Sequence, residues 1–487
     1  MAAMLIMVLP ASMVCADTEK SNVFDPGNFG GSGDDKFVSV IQVGGGFVAV
    51  GHSNSFGNGD LAGMTGKGGY DAIIVKYDEA GTVKWVRSFG GSGDDHFTSV
   101  TEVSGGYVAV GYSTSIGSGD WSGTTGRGGQ DAIIVKYDVN GSIVWKNIFG
   151  GSGTDSFASV VAVSGDIIAV GHSDAFGSGD WSEVDGKGSL DAAIVKFDQN
   201  GNKVWAKNFG GTGWERFISA TAVSDGIVAV GVTDMFRDDG DWAGSGVKEK
   251  GGVDAIIVKF DNQGEMIWAK NFGGSNVDYF YSVAAVPDGI IAVGVSWLLS
   301  FGNGDWTGVQ SNGNADAIIV KYNNNGGVVW KKNFGGSGID YFYSVTAVTG
   351  GCVAVGYSNA FGSGDWSGTA GKGSDDAIAV QFDSKGNVIW KKNFGGSGID
   401  HFNSVASASD GIVAAGYSAS FGNGDWTGVA GKGGNDAILV MFEIPFIDEE
   451  KSPSSLPLMS IVIVCLVIGA VVGLAVGLKV RAKKKTK

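Results

Sequence analysis

A glycine, an aspartate and, in six copies, a tryptophan stand together at seven places along the chain, 60 to 64 residues apart. An exposed indole ring can stack on a sugar ring, and a neighbouring carboxylate accepts hydrogen bonds from the sugar hydroxyls. The pattern therefore predicts ligand-binding residues of a lectin-like kind. The candidate pairs are Asp120 and Trp121, Asp180 and Trp181, Asp241 and Trp242, Asp305 and Trp306, Asp365 and Trp366, and Asp425 and Trp426.

A structural role explains the same motif. A basic residue follows later in the loop in six of the seven copies, so that aspartate and base would close the loop while the tryptophan packs against the next repeat. Sites usually break the symmetry of a repeat protein, so recurrence in every copy favours this structural interpretation. The residues at the basic position are Lys67, Arg127, Lys187, Lys250, Asn312, Lys372 and Lys432.

Two further acidic positions recur in every copy. One runs through Asp35, Asp95, Asp155, Glu215, Asp278, Asp340 and Asp400, and the other from Asp71 to Asp436. Calcium binds such carboxylates together with loop carbonyls, but the dense alternating aspartate run of calcium loops is absent. Capping of turns and strand ends by aspartate is the simpler interpretation. We therefore predict no metal and no other cofactor, with calcium as the one alternative.

Nothing in the sequence recommends catalysis. The four histidines, His52, His96, His172 and His401, form no cluster along the chain, and no nucleophile motif is present. A closed fold can still bring distant residues together. The fourth copy departs most from the repeat, at residues 214–216, 235–239 and 248–250, and the fifth adds residues 297–299. A single asymmetric site would lie in these two copies, although sequence drift is the simpler explanation.

The elements that position these residues follow from the repeat itself. Seven copies of a Phe-Gly-Gly motif begin at intervals of 60 to 63 residues, which is the mark of a repeat architecture. In the second copy, residues 97–103, 107–113, 131–137 and 142–149 are β-rich runs bounded by Gly, Asn and Asp, as in short strands. Four antiparallel strands per copy, here termed a, b, c and d, predict an all-β, seven-bladed β-propeller.

The ends of the repeat region predict how the ring closes. The seventh copy has strands a to c but no strand d, and a spare stretch at 21–29 precedes the first copy. We expect this stretch to form the outer strand of the last blade, which removes an exposed edge. Because neighbouring strands are antiparallel, the b–c and d–a loops should share one face, with the a–b and c–d turns on the other.

These features resemble the secreted seven-bladed propeller repeat proteins of prokaryotes. The resemblance covers residues 21–443 and rests on units such as Phe334-Gly-Gly-Ser-Gly, Asp376-Ala377 and Trp390. The c–d hairpin, with Asp138, Gly141 and Trp145, is similar to the docking repeat of quinoprotein dehydrogenases, but their cofactor cage is absent. The resemblance implies the fold and an extracytoplasmic setting. It implies no single activity, because propellers have many.

The chain ends predict membrane anchoring. Residues 1–16 look like a signal peptide, although they lack a basic start. After the propeller at 17–443 and a linker at 444–457, the apolar run at 458–478 is long enough to span a bilayer. The basic tail at 479–487 predicts a cytoplasmic C-terminus and a propeller outside the cell membrane. Gly469, Gly473 and Gly477 lie on one helix face and could promote self-association.

Charge excludes one class of partner. The chain has 50 acidic and 34 basic residues, and six of the bases lie in the last nine residues, which leaves 28 bases against 50 acids, a net charge of −22. Nucleic acid binding requires a basic face, so it is not expected.

Cys352 has no partner in the propeller and should be a core residue. We predict a binding or adhesion module for glycan or protein ligands, the alternative being a surface hydrolase or lyase that uses the central cleft.

Overall fold

The computed structural model describes residues 23–234, 239–409 and 411–444. These residues form 28 β-strands and eight short 3-10 helices, and the strands assemble into seven four-stranded antiparallel sheets. The prediction of an all-β, seven-bladed propeller with four strands in each blade is confirmed. The chain divides into two units, Met1–Ile444 and Pro445–Lys487, and the second lies wholly outside the described residues.

The strands are β1 (Val23–Phe29), β2 (Asp35–Val43), β3 (Gly46–Ser53), β4 (Asp71–Tyr77), β5 (Val83–Phe89), β6 (Asp95–Val103), β7 (Gly106–Ser113), β8 (Asp131–Asp138), β9 (Ile143–Phe149), β10 (Asp155–Val163), β11 (Asp166–Ser173), β12 (Asp191–Phe197), β13 (Lys203–Phe209), β14 (Glu215–Val223), β15 (Gly226–Asp234), β16 (Val253–Phe260), β17 (Met266–Phe272), β18 (Asp278–Val286), β19 (Gly289–Trp297), β20 (Ala315–Tyr322), β21 (Val328–Phe334), β22 (Asp340–Val348), β23 (Gly351–Ser358), β24 (Asp376–Asp383), β25 (Val388–Phe394), β26 (Asp400–Ala408), β27 (Gly411–Ser418) and β28 (Asp436–Glu443).

The 3-10 helices are Gly59–Leu61, Gly119–Trp121, Gly179–Trp181, Gly240–Trp242, Leu298–Ser300, Gly304–Trp306, Gly364–Trp366 and Gly424–Trp426. Seven of them carry the repeated Gly-Asp-Trp or Gly-Asp-Leu motif, and Leu298–Ser300 occurs in blade five alone among the described residues. Strand a begins two residues earlier than predicted, at Asp95 in the second copy, because this aspartate already pairs with Ser113 of strand b.

The ring closes through the N-terminus, as predicted. β1 forms the outer strand of the last blade, whose order is β1-β28-β27-β26. Its register runs from Val23 opposite Phe442 to Phe29 opposite Ala437, with a shift between Phe24 and Gly27. The shift spans Pro26, which has no N–H to donate to a ladder and is tolerated on an edge strand.

The core consists of seven apolar clusters, each between two adjacent blades. Strands b and c are buried on both sides, which suits their runs of Val, Ile and Ala, as in β7, where Gly106 to Gly111 are all buried. Cys352 is a buried free thiol in one of these clusters, as expected. Burial raises the pKa of that thiol to about 12.

In blades one, two, four and five, strand d is linked to the next blade through its tryptophan. The Trp85 indole N–H donates to the Val139 carbonyl, in the c–d turn of the next blade, at 3.2 Å. Trp145, Trp268 and Trp330 each donate in the same way to a carbonyl in the c–d turn of the blade that follows. The ring of Trp85 lies against Gly141, where a Cβ atom would come within 2.9 Å of it and where φ is +79°. The c–d hairpin glycine is therefore required by this contact.

No helix among the described residues is long and apolar enough to cross a membrane. The predicted signal peptide at 1–16, the transmembrane helix at 458–478 and the tail at 479–487 lie outside the described residues, as does the linker after Ile444. These segments remain predictions.

Candidate functional site

The six Gly-Asp-Trp tryptophans are core residues. Each is at most 1% exposed, and each packs its edge against the phenylalanine that ends the preceding strand d, as Trp121 does on Phe89 at 4.8 Å. The prediction that Trp121, Trp181, Trp242, Trp306, Trp366 and Trp426 stack on a ligand is therefore wrong. The physical reason is the glycine before each aspartate. At Gly119, φ is +54° and a side chain would strike the Gly90 carbonyl, so the loop folds inward against the d–a loop.

The aspartates of the motif face the preceding blade. Asp120 Oδ2 accepts a hydrogen bond from the Gly90 backbone N–H at 2.9 Å and lies 3.0 Å from Lys67 Nζ. Lys67 belongs to blade one and Asp120 to blade two. The base therefore does not close its own loop, as the structural interpretation had it, but pairs with the aspartate of the next blade.

This inter-blade pairing continues around the ring. The further ion pairs are Arg127–Asp180, Lys187–Asp241, Lys250–Asp305, Lys372–Asp425 and Lys432–Asp60, with nitrogen–oxygen distances of 2.6 to 3.1 Å. Between blades five and six, Asn312 replaces the base and donates to Asp365 at 3.0 Å. All seven aspartates are thus occupied by structural partners, which removes the argument for a repeated ligand site on them.

In blades two, three, five, six and seven, the acid that opens strand a accepts the indole N–H of the motif tryptophan. Asp155 Oδ1 accepts the indole N–H of Trp181 at 2.7 Å, and Oδ2 accepts the Gly151 N–H at 2.8 Å. Burial raises the pKa of this carboxyl, against the opposing effect of its hydrogen bonds to Ser173, Gly151 and Trp181. In blade four, the corresponding Glu215 has its pKa raised to about 7 by burial. These carboxyls are structural capping groups.

The acids that open strand c behave alike. Asp71 Oδ2 accepts the Lys67 backbone N–H at 2.8 Å, and burial raises the pKa of Asp71 to about 6. Their partners are backbone N–H groups of the loop, as predicted for turn and strand-end capping. Within residues 23–234, 239–409 and 411–444, no group of three or more His, Cys, Asp or Glu side chains is placed to hold a metal ion.

The symmetry of the ring is broken at its inner edge. The first strands of adjacent blades pack against each other all the way round, so they surround the central axis. The second position of each of these strands is different in character from blade to blade: Lys36, His96, Ser156, Arg216, Tyr279, Tyr341 and His401. We call the region formed by these residues, their strand b partners and the adjoining ends of the b–c and d–a loops the channel mouth. It lies on the face that carries those loops, here the loop face.

A wall of stacked rings lines the mouth from blade five to blade seven. Tyr281 of blade five contacts Tyr341 and Tyr343 of blade six, with ring centroids 6.1 and 5.3 Å apart. Tyr341 stacks on Tyr357 at 5.1 Å, and Tyr357 stacks on His401 of blade seven at 4.0 Å. These rings are half-buried, and burial raises the pKa of each of the four tyrosines. They remain neutral donors and acceptors at physiological pH.

The wall ends in a hydrogen-bonded chain. The Tyr417 hydroxyl lies 2.9 Å from His401 Nδ1, and His401 Nε2 lies 3.2 Å from Asp375 Oδ2. This pairing fits a neutral imidazole protonated at Nε2, and burial lowers the pKa of His401 despite the hydrogen bond to Asp375. Lys36 of blade one stands 4.4 Å from the centre of the Tyr417 ring, a cation–π contact across the closure of the ring.

Blades one and two contribute a second cluster. The His52 and His96 rings lie 4.1 Å apart, and the Tyr70 ring contacts both. Burial lowers the pKa of His52 to about 3, and burial also lowers the pKa of His96. The Tyr70 hydroxyl donates to Asp34 at 3.3 Å. The histidines that are scattered along the sequence thus meet in part: His52 with His96, His401 with the tyrosine wall, and His172 apart from both.

Blade five adds an exposed apolar segment beside the wall. Trp297, Leu298 and Leu299 are 38%, 50% and 66% exposed. Burial raises the pKa of Tyr341, and the Trp297 side chain lies close enough to the Tyr341 hydroxyl to oppose that rise, so this segment adjoins the mouth. The expectation that an asymmetric site would lie in copies four and five stays a prediction. The irregular side chains of the mouth described above run from blade five through blades six, seven, one and two.

The tyrosine wall was missed in the sequence. It falls at positions that vary among the copies: apart from Tyr, the position of Tyr341 is Lys, His, Ser or Arg, and the position of Tyr343 is Val, Thr, Ala, Ile or Asn. A comparison of the seven copies position by position would have shown this variation. A variable position among otherwise regular repeats is a signal of function, because structural positions repeat.

Comparisons with known proteins give little beyond the fold. No family profile matches this chain. The regulatory protein FlaEY of Caulobacter vibrioides is 24% identical over 243 residues, which cover 45% of this chain and 25% of that protein. The matched region thus spans about a quarter of the length of this relative.

Two solved structures illustrate the similarity in fold. The WD40 β-propeller domain of Doa1 has 12% sequence identity and a TM-score of 0.45, covering 87% of this chain and 97% of that chain. Sqt1 of Chaetomium thermophilum, bound to the N-terminus of ribosomal protein L10, has 11% identity and a TM-score of 0.39, covering 87% and 100%. At this identity the similarity concerns the fold alone. The resemblance to secreted prokaryotic repeat proteins remains a prediction.

Proposed function

We propose that this protein is a membrane-anchored propeller, displayed outside the cell, that binds a protein or glycan ligand at the channel mouth. One observation carries the binding site. The mouth combines half-buried aromatic rings, the His52–His96 pair, His401 and an exposed apolar segment where the repeat symmetry fails, whereas the symmetric positions are occupied by structural contacts. Propellers commonly act as binding modules, and rigid scaffolds that present variable loop residues are suited to that role.

The anchoring and location rest on the sequence of the chain ends. The apolar run at 458–478 and the basic tail after it predict one membrane span with the C-terminus in the cytoplasm. Strand β28 ends at Glu443 on the face opposite the loop face, so the chain leaves from there. The 14 residues of the linker at 444–457 reach at most about 50 Å when extended. We therefore propose that the mouth faces away from the membrane.

Two measurements test the proposal. Epitope tags inserted at Thr125, in a b–c loop, and at Asn140, in a c–d turn, report orientation on intact cells. We expect the tag at Thr125 to be the more accessible to antibody, and easier access at Asn140 would contradict the orientation. Binding screens of the full-length chain against glycan and protein libraries, repeated with Tyr341→Ala, report the site. Ligands that bind both forms equally would contradict a site at the mouth.

The alternative of a surface hydrolase or lyase has one supporting observation, the chain of Asp375, His401 and Tyr417. An acid that orients a histidine is a common part of general acid–base catalysis. Here both ring nitrogens of His401 already have partners within the mouth, so a substrate would have to replace Tyr417. A His401→Asn variant with unchanged ligand turnover would remove this alternative, and loss of turnover with retained binding would favour it.

A further inference from the structure

Large apolar side chains are exposed in two regions of the described chain. Eleven of the fifteen lie at the starts of the d strands or in a c–d turn, spread around the outer rim in blades one to six. The other four, Trp297, Leu298, Leu299 and Ile399, lie on the loop face in blades five and seven. The rim residues repeat from blade to blade, as expected for a property of the fold. Residues 297–299 have no counterpart in the other copies, so they call for a separate explanation.

The blade-five segment, residues 297–299, is held in a fixed shape. The Trp297 N–H donates to the Val277 carbonyl at 3.0 Å, and the Leu298 N–H donates to the Asn314 carbonyl at 2.9 Å. The Leu299 carbonyl accepts from Ser275 Oγ at 2.8 Å and from Asn303 Nδ2 at 3.1 Å. Ser300, next along, is buried and donates to Asp278. These hydrogen bonds hold the backbone of the segment, so its two exposed leucines are preorganised. Preorganisation lowers the entropic cost of binding.

The two sides of the mouth differ in the polarity of their side chains. The position just before strand a is apolar in blades five to seven, as Val277, Ile339 and Ile399. It is acidic in blades one and two, as Asp34 and Asp94. Asp94 is exposed, and the chain as a whole has a net charge of −16. One side of the mouth therefore favours apolar surface, and the electrostatic field of the whole chain favours a positively charged partner.

We infer that the ligand at the mouth is a segment of a partner protein that presents an aliphatic or aromatic side chain to residues 297–299 and a lysine or arginine to the acidic side of the mouth in blades one and two. This rests on the proposed function and narrows its ligand class. A leucine side chain offers a sugar neither a hydrogen bond nor a flat ring to stack on, whereas it gains from covering an apolar side chain. Trp297 at the base of the segment is the residue type that most often dominates protein interfaces.

The test uses the full-length chain in lipid nanodiscs with two probes, a phage-displayed library of short random peptides and a glycan array. We expect the selected peptides to combine Leu, Ile, Met or Phe with Lys or Arg. The double variant Leu298→Ser, Leu299→Ser should weaken their binding about tenfold or more, since loss of a central apolar contact commonly costs that much. The matched control is Val328→Ser, Val329→Ser on the rim of the same blade, where both side chains are also exposed. It should bind as the native chain does.

Different outcomes overturn different parts. Failure to select any peptide, or equal loss in the segment and rim variants, overturns the inference. Glycan binding that Tyr341→Ala abolishes and the leucine variant leaves unchanged also overturns it, but upholds a binding site at the mouth. If no mouth variant changes the binding of any peptide or glycan, the proposed function fails as well.

Discussion

Lys432 Nζ lies 2.6 Å from Asp60 Oδ2, although 372 residues separate the two in sequence. This is the contact between the last blade and the first, and it uses the same pair of positions as the contacts between other blades. The same ammonium donates to the Asn28 carbonyl at 2.6 Å, so it also fixes the N-terminal strand. Closure of the ring therefore depends on the outer strand β1 and on an ion pair that joins the two ends of the repeat region.

Removal of residues 17–28 should destabilise the propeller. The deletion takes away most of β1, leaves β28 as an exposed edge and removes the Asn28 carbonyl that Lys432 binds. We expect the unfolding temperature to fall by at least about 5 °C, which calorimetry would measure. Deletion of 17–22 alone, which leaves β1 intact, is the control. Equal unfolding temperatures for the full-length chain and both deletions would show that β1 does not close the ring.

Asn312→Lys should complete the ring of inter-blade ion pairs. Asn312 already donates to Asp365 at 3.0 Å, where the other interfaces have a lysine or arginine. Because such pairs are partly exposed, the gain in the free energy of unfolding should be small, about 0.5 kcal/mol. Urea denaturation would measure it. In the Asp365→Asn background the gain in unfolding free energy from Asn312→Lys should disappear. A gain that persists without the Asp365 carboxylate would contradict the pairing.

Trp121→Leu should reduce stability without changing ligand binding. The first blade already has Leu61 at the same position, fully buried. Replacement of the larger indole leaves a cavity and should cost about 2 kcal/mol of unfolding free energy. Urea denaturation and a binding assay with a ligand from the screens test both halves. Loss of glycan binding at unchanged stability would instead restore the lectin-like role that the sequence suggested for this residue.

Stability should depend on pH through Glu215. Burial raises its pKa from 4.5 to about 7, so the folded protein holds this proton more tightly than the unfolded chain does. Its contribution is then fully present below pH 4.5 and is lost as the pH rises through about 7, a change of at most about 3 kcal/mol. Glu215→Gln should flatten the fall in unfolding free energy between these limits. An unchanged pH dependence in the variant would assign it to other carboxyls.

The fold could be predicted from the sequence because each blade is formed almost entirely by one continuous stretch of about 60 residues, and this stretch occurs seven times. Strand order, the closure by β1 and the shared face of the b–c and d–a loops all follow from one 60-residue unit and the rules of antiparallel pairing. The roles of Trp121 and Asp120 could not be settled in this way. Whether a loop tryptophan points outward or inward depends on the packing of one loop on the next, here enforced by the positive φ of Gly119.

The set of residues that forms the channel mouth could not be predicted from the sequence. Its residues belong to strands that are distant in sequence, such as Lys36 and Tyr417, and they meet only because the ring is closed. The Lys67–Asp120 pair is similar, since the partner lies in the next copy rather than in the same loop. Local patterns therefore predicted which residues repeat, whereas the contacts between copies needed the three-dimensional structure.

The antiparallel pairing of β28 with β1 and β27 also sets how the molecule carries a load. β28 runs from Asp436 on the loop face to Glu443 on the opposite face, and the C-terminal segment continues from there. If the C-terminus is anchored and the ligand binds at the mouth, as proposed, a pull between the two would act along this strand. Its hydrogen bonds to both neighbours lie across the line of force and are sheared together rather than peeled apart one at a time. Tension applied at the C-terminal end of β28 would thus be shared by two hydrogen-bond ladders at once.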